Sequence, residues 1–271
     1  MNPKDTMTPL LVLLAGLLLA GTASAYPGGT PGFQTDAAPF CAGCHSSMSE
    51  DVLAGAPPGM AAKQLAGAKH LAVIQQGGGQ YGELSEAERA ELVAHIQAVD
   101  AASSVSVTAP KKVKPGEVFT VTVDLTGGAG PVVGVALVDV AHRWLARPIA
   151  GTGFDVTAPP VVIGQDFKEQ SKWIGRRPEA LGRNLSYVNI EGISSDAVAQ
   201  SWGRAQVAWT LRAPMQTGTL PLAAAYWYGT EKASPHGMME DPVYGKKLRG
   251  GSAGASGRVI FSDVVQIQVA P

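Results

Sequence analysis

The two cysteines of this chain lie three residues apart, and their position limits how the fold can be stabilised. Cys41 and Cys44 are the only cysteines in 271 residues. A disulfide between them would close a very small, strained loop and would stabilise little of the chain. No covalent crosslink can therefore join distant segments, and the fold must depend on a buried apolar core.

His45 follows the second cysteine, so that the segment reads Cys-x-x-Cys-His. On one helical turn the two thiols can reach the vinyl groups on one edge of a porphyrin, and the adjacent imidazole can bind the iron. This spacing is typical of covalent c-type haem attachment. A thioredoxin-like redox pair would need a preceding strand, and a structural zinc site would need four ligands, so both fit the sequence less well. We therefore predict one covalent haem c, with thioethers at Cys41 and Cys44 and His45 as the proximal iron ligand.

Residues 1–25 have the pattern of a secretory signal peptide. Lys4 precedes an apolar run at 10–20, and the small residues Ala-Ser-Ala at 23–25 form a cleavage site. The run is too short to span a bilayer comfortably, and no later segment has the roughly 18 apolar residues of a membrane helix. We expect a periplasmic or secreted protein with no transmembrane segment after cleavage. Bacterial c-type haem is attached outside the cytoplasm, which agrees with export.

Helical patterns follow the haem motif. A helix is predicted from Cys41 to Val52, and a second at 60–76 ends at three glycines. The third is predicted to begin after Ser85, which with Glu88 forms a capping-box pattern, and to run to about residue 99.

Residues 26–102 resemble a small class I cytochrome c. The resemblance rests on the haem motif, on a glycine-containing loop after a central helix (73–77), and on Leu-Ser-Glu-Ala-Glu at 84–88 opening the last helix. It implies a small all-α haem domain. The family places a distal methionine in its glycine loop, whereas this sequence reads Gly-Gln-Tyr-Gly at 79–82.

The distal iron ligand therefore has several candidates. His70 is the leading one, because it lies on the central helix that lines the distal side in the resembled family. Ile74 and Gly77 would share its helical face. Met60 is the alternative, since the preceding Pro-Pro-Gly could hold a loop near the iron. Tyr81 and an open five-coordinate iron are further possibilities.

The pattern changes from helical to alternating after a short linker at 103–106. Period-two runs at 105–108, 118–123 and 206–211 predict strands, and a continuous apolar run at 132–140 predicts a strand buried on both faces. Further strands are predicted within 220–228 and 259–269. Repeated strands with Gly and Pro turns favour a β-sandwich.

The opening of residues 107–271, Ala-Pro at 109–110 and then Lys-Pro-Gly-Glu at 114–117, resembles bacterial immunoglobulin-like modules. The sequence thus predicts an α + β two-domain protein. A small all-α cytochrome c-like domain at 26–102 would precede an all-β immunoglobulin-like sandwich at 107–271. An apolar content of 45% with 16% charged residues agrees with globular domains.

Formal charge is unevenly distributed between the two parts. Residues 26–102 contain three bases and eight acids, a formal charge of −5, whereas residues 103–271 contain 17 bases and 13 acids, a formal charge of +4. The two parts could attract each other, each could steer a different partner protein, or the charges could simply be scattered over solvated surfaces. A nucleic-acid partner is not expected for an exported haem protein with an overall charge of −1.

These features predict a one-electron carrier for a redox partner protein, with the β-sandwich docking that partner. No catalytic residues are predicted, because the sequence has no Gly-rich phosphate loop, no zinc-binding His-Glu pair and no nucleophile elbow. Two alternatives stay open. One is a haem-based sensor or gas-binding module with an open or weakly ligated distal site, and the other is a structural or assembly protein with a haem-stapled domain.

Overall fold

The computed structural model describes residues 70–138, 153–170, 186–243, 245–250 and 256–271. The signal segment at 1–25, the haem motif at 41–45 and Met60 lie outside these ranges.

The helical part of the described chain is short. Helix α1 is Ala72–Gln75, a 3-10 turn spans Gly79–Glu83, and helix α2 is Glu86–Ala102. The capping box predicted for α2 is confirmed: Ser85 Oγ accepts from the Glu88 backbone N–H at 3.3 Å, and the Glu88 carboxylate accepts from the Ser85 N–H at 2.7 Å.

Strands make up most of the remainder. They are β1 (Ser104–Thr108), β2 (Lys112–Val113), β3 (Val118–Thr126), β4 (Ala129–Val138), β5 (Asp155–Val156), β6 (Val161–Ile163), β7 (Tyr187–Ile193), β8 (Arg204–Arg212), β9 (Gly218–Gly229), β10 (Met238–Asp241), β11 (Gly245–Leu248), β12 (Gly257–Phe261) and β13 (Val265–Val269). Strand β1 begins at Ser104, inside the segment that the sequence assigns to the linker.

Two sheets contain all of these strands except the β10–β11 hairpin. The first has the order β1-β3-β8-β5, and β6 also pairs with β8. The second has the order β2-β13-β9-β4-β7, and β12 also pairs with β9. The pairings are antiparallel except that of β13 with β2.

The two sheets share one apolar core. Alternate residues of β3 and β8 point into it, and Val121 and Trp209 are fully buried there. The facing side of the second sheet contributes Val135, Ile190 and Tyr226 to the same cluster. The period-two runs predicted at 118–123 and 206–211 correspond to β3 and β8, along which buried positions alternate with more exposed ones, whereas β5 and β6 of the same sheet were not predicted.

The second sheet is buried on its other face as well. Ala136, Val138 and Trp227 belong to a separate apolar cluster on that face. Residues 133–138 are all buried. The prediction of a two-sided buried strand from the apolar run at 132–140 is confirmed by β4.

The predicted α + β organisation, with a separate all-α domain, is wrong for the described chain, which is mostly strand with two helices of 4 and 17 residues. The apolar face of α2 is divided between two clusters. Ile96 packs near α1 and the 3-10 turn, whereas Val99 lies in the core shared by the two sheets. Helical periodicity predicts that a face is buried, but it does not specify which element covers that face.

Candidate functional site

Of the predicted haem residues, the distal candidates His70 and Tyr81 fall within the described ranges. Cys41, Cys44, His45 and Met60 lie outside them, so their roles stay predictions. His70 has no solvent exposure and lies two residues before α1. Its neighbours are the 3-10 turn, the loop after β9 and strand β12, which together bury it between the helical segment and the second sheet.

Both ring nitrogens of His70 have protein partners. Nε2 lies 2.9 Å from Glu231 Oε1 and 3.2 Å from the Tyr81 hydroxyl. Nδ1 lies 3.2 Å from Arg258 Nη2. A guanidinium group can only donate, so Nδ1 must accept and Nε2 must carry the ring proton. His70 is thus a neutral imidazole that donates to the Glu231 carboxylate.

Glu231 collects the donors at the centre of this arrangement. It begins the 3-10 turn Glu231–Ala233 after β9, and it is 1% exposed. Besides His70, its carboxylate accepts from the Tyr81 hydroxyl and, at 2.6 Å, from the backbone N–H of Gly250. Three donors compensate the cost of burying the carboxylate in a protein interior.

Arg258 balances that negative charge. Its Nε donates to Asp100 Oδ2 at 3.0 Å, and Nη1 donates to the Gly257 carbonyl at 3.1 Å. The hydroxyl of Tyr228 also donates to Asp100, at 3.1 Å. The Arg258 guanidinium, which is 2% exposed, thus contacts the Asp100 carboxylate on α2 and the neutral ring of His70.

These side chains are called the polar cluster below. Its members are His70, Tyr81, Asp100, Tyr228, Glu231 and Arg258. Three of them precede β1 in sequence and three lie on β9, β12 or the turn after β9. The polar cluster therefore joins the helical segment to the second sheet.

Tyr81 keeps its proton within this cluster. Burial raises the pKa of its phenol well above the ordinary value, and the negative charge of Glu231 raises it further. A protonated phenol is a hydrogen-bond donor, as the contact with Glu231 requires.

Gly250 shows how closely the cluster is packed. A Cβ atom at this position would lie 2.5 Å from Glu231 Oε1 and 2.7 Å from the Tyr81 hydroxyl oxygen. Only a residue without a side chain lets the backbone N–H approach the carboxylate so closely.

Further polar contacts surround the cluster and cross the same boundary. Arg249 donates to Glu83 at 2.8 Å and to the Gln80 carbonyl at 2.7 Å. His236 lies 2.8 Å from Glu91 on α2, and the His95 ring lies 2.8 Å from a serine hydroxyl in the loop after β9. Acids of residues 26–102 thus pair with bases of residues 103–271. Of the three interpretations of the charge distribution, these ion pairs agree with attraction between the two parts.

The described ranges contain no group of three or more His, Cys, Asp or Glu side chains placed to hold a metal ion.

A polar cleft of about 600 Å³ lies away from the polar cluster and shares no residue with it. The cleft is lined by residues 164–166 and 168–170, which follow β6, and by Glu191 and Gly192 of β7. The side-chain amide of Gln170 pairs there with the backbone of β7, at Asn189 and Glu191. No helix of the described ranges is both long and apolar enough to cross a membrane.

Sequence reasoning identified His70 but missed Glu231 and Arg258. They lie 161 and 188 residues away from it along the chain. Single acids and bases in loops and strands carry no local signal of burial, because nothing in the flanking residues distinguishes them from surface charges. The charge asymmetry between the two parts was the one sequence feature that pointed towards pairing.

No family model matches this chain, and no curated protein matches its sequence closely enough to be reported as a relative.

Proposed function

We propose that this chain is an exported c-type haem protein that transfers single electrons. The observation that carries the proposal is the Cys-x-x-Cys-His segment at 41–45, which contains the only two thiols of the chain. Cys41 and Cys44 would bind the porphyrin covalently, and His45 would bind the iron from the proximal side. When bound, such a haem supplies an iron that alternates between the ferric and ferrous states.

The donor set at 41–45 suits that cofactor. Two thiols and an imidazole within five residues are too few for a structural zinc site, for which four ligands are usual. The signal-like segment at 1–25 supports maturation outside the cytoplasm, in the periplasm or after secretion. The proposal concerns the haem segment alone and does not include a separate helical domain.

We propose that the strand-rich part is an immunoglobulin-type sandwich and that it docks the redox partner. The strand order β1-β3-β8-β5 opposite β13-β9-β4 supports the sandwich, because it corresponds to the ABED and GFC sheets of immunoglobulin domains. For docking, the hairpin β10–β11 offers an exposed Val243 and an exposed Lys246 outside the two sheets.

Haem attachment is tested with full-length protein produced in cells that can mature c-type haem. A denaturing gel should show haem-dependent peroxidase staining that travels with the polypeptide, and staining should be lost in Cys41→Ser/Cys44→Ser. Ser46→Ala, next to the motif, is the matched control and should stain as the wild type does. An unstained wild-type band would refute covalent haem.

Electron transfer is tested on the same stained protein. Visible spectra should show reversible oxidation and reduction, and a soluble carrier should reduce it rapidly. If the hairpin docks a partner, Lys246→Glu should alter the rate and its salt dependence, whereas Lys111→Glu, an exposed lysine on neither sheet, should not. A haem that exchanges no electrons with any carrier would refute the carrier role.

A haem-based sensor or gas-binding module is the second candidate. It is favoured by the engagement of both ring nitrogens of His70, which leaves that side chain without a lone pair directed at an iron. Rapid binding of carbon monoxide by the ferrous protein would support this role. Slow or absent binding would favour electron transfer.

A further inference from the structure

We propose that His70 is not an iron ligand but a positioning residue, which fastens the segment before α1 to the second sheet through Glu231 and Arg258. The contacts that carry this proposal are made by the polypeptide itself, so it goes beyond the proposed haem function and does not require it.

The hydrogen positions give the first argument. Arg258 can only donate, so the 3.2 Å contact between its Nη2 and His70 Nδ1 requires a lone pair on Nδ1. The ring proton is then on Nε2, where Glu231 Oε1 accepts it at 2.9 Å. The two partners specify one tautomer between them.

Iron binding conflicts with both contacts. A histidine that binds a metal through one nitrogen carries its proton on the other and donates it to an acceptor. Binding through Nε2 would displace Glu231 and turn the Nδ1 proton towards the Arg258 guanidinium, leaving two donors face to face. Binding through Nδ1 would place a positively charged iron beside that guanidinium. Each arrangement gives up a buried charge-assisted hydrogen bond and adds an unfavourable contact.

The close packing gives the second argument. The exposures of His70, Glu231 and Arg258 are 0%, 1% and 2%. The backbone at Gly250 approaches so closely that even a methyl group there would lie 2.5 Å from the Glu231 carboxylate. The side of the ring that an iron ligand would present to a porphyrin is occupied by the protein.

Fixing His70 in the polar cluster also affects the haem segment that precedes it. His70 lies 25 residues after His45 in sequence. Fixing His70 to Glu231 and Arg258 fixes one end of the connection between the haem motif and the sheets. The sixth iron position is then filled by another group, for which Met60 is the sequence-based candidate, or is open.

The test compares His70→Gln, His70→Ala and His95→Gln in the haem-loaded full chain. The Nε2 of a glutamine can still donate to Glu231, but an amide does not replace imidazole as an iron ligand. We expect ferric and ferrous spectra equal to those of the wild type in all three variants. His70→Ala should lower the Tm by about 5 °C, and His70→Gln should recover part of that loss. His95, a partly buried helix histidine, controls for the loss of an imidazole.

A change from low-spin to high-spin spectra in both His70 variants, but not in His95→Gln, would overturn the proposal. The tautomer provides a readout that does not depend on a variant folding. Nitrogen-15 correlation spectra of the wild type should show His70 neutral with its proton on Nε2. A paramagnetically shifted His70 ring, or a proton on Nδ1, would contradict the assignment.

The Cys41→Ser/Cys44→Ser chain separates this proposal from the haem proposal. His70→Ala should lower the Tm equally with and without the two thiols, because the contacts do not involve the cofactor. A Tm loss that disappears in the thiol-free chain would show that His70 acts through iron and would refute the proposal. Absence of haem in the wild type would refute only the proposed function.

Discussion

Glu231 Oε1 lies 2.9 Å from His70 Nε2, although 161 residues of sequence separate the two side chains. Both are almost completely excluded from solvent. Because one belongs to the segment before α1 and the other to the turn after β9, the helical segment and the second sheet form one packed unit. Removing the strand-rich part would expose the buried His70 ring and the Val99 side chain, and would leave Asp100 without its Arg258 partner.

Replacing Glu231 by glutamine tests the centre of this unit. The amide has a donor where the carboxylate has an acceptor, so one of the donors from His70, Tyr81 or Gly250 loses its partner. We expect the free energy of unfolding to fall by about 1–3 kcal/mol, measured by urea denaturation. The same change at the exposed Glu240 should stay within about 0.5 kcal/mol. Equal effects at the two positions would contradict the arrangement.

Gly250→Ala tests the packing around the Glu231 carboxylate. The added Cβ would meet Glu231 Oε1 at 2.5 Å, so the carboxylate or the backbone must shift and weaken the Gly250 hydrogen bond. A loss of about 1–3 kcal/mol is expected from overpacking alone. Gly192→Ala is the comparison. That position is open, and its φ of 67° makes backbone strain the only expected cost, about 1 kcal/mol. A neutral Gly250→Ala would show that the site is less closely packed.

Local patterns in the sequence predicted most of the longer elements. Alternation identified β3 and β8 because each has one face towards the core, and the apolar run at 132–140 identified β4 because both of its faces are buried. The capping box identified the start of α2 at Glu86. Strand β7 was not predicted, because Asn189 and Gly192 interrupt its apolar pattern. Asn189 is nevertheless buried, with its side chain bonded to the Tyr187 hydroxyl.

Such local patterns could not predict which residues come together in the candidate site. His70 was found because a histidine near a haem motif is conspicuous, yet its partners lie in a turn and a strand far along the chain. The burial of Val99, at the end of α2, in the core shared by the two sheets is likewise a long-range property. The prediction of a separate helical domain failed at this step, since periodicity gives the direction of burial within a helix and not the identity of the packing partner.

The N-terminal cap of α2 gives a prediction with a pH dependence. Ser85→Ala removes the acceptor for the Glu88 backbone N–H and should cost about 1 kcal/mol of unfolding free energy at neutral pH. Hydrogen bonds from Ser85 lower the pKa of Glu88 in the folded protein. Their contribution is therefore present above the unfolded pKa of about 4.3 and is lost as pH falls through the folded value.

The difference between wild type and Ser85→Ala should consequently be smaller at about pH 3 than at pH 7, as measured by urea denaturation at each pH. Ser106→Ala, at an exposed position of β1, is the control and should change stability by less than about 0.5 kcal/mol. A difference that grows on acidification would contradict the lowered pKa of Glu88.

The buried phenol of Tyr226 gives a prediction for alkaline pH, where stability is lost as the pH rises. Its hydroxyl donates to the Gly127 carbonyl at 3.0 Å, and complete burial raises its pKa far above the ordinary value. The folded protein thus keeps a proton that the unfolded chain releases near pH 10, so stability is full below that pH and declines as pH rises further. Tyr226→Phe leaves the Gly127 carbonyl without this donor and should cost about 1–3 kcal/mol at neutral pH. Above about pH 10 the difference in unfolding free energy between wild type and variant should become smaller, because only the wild type loses the proton-linked contribution at this site.

Absorbance gives a second measurement on the wild type. Phenolate absorbance from Tyr226 should appear together with the loss of tertiary structure. Ionisation of all six tyrosines before unfolding would show that Tyr226 is accessible to solvent.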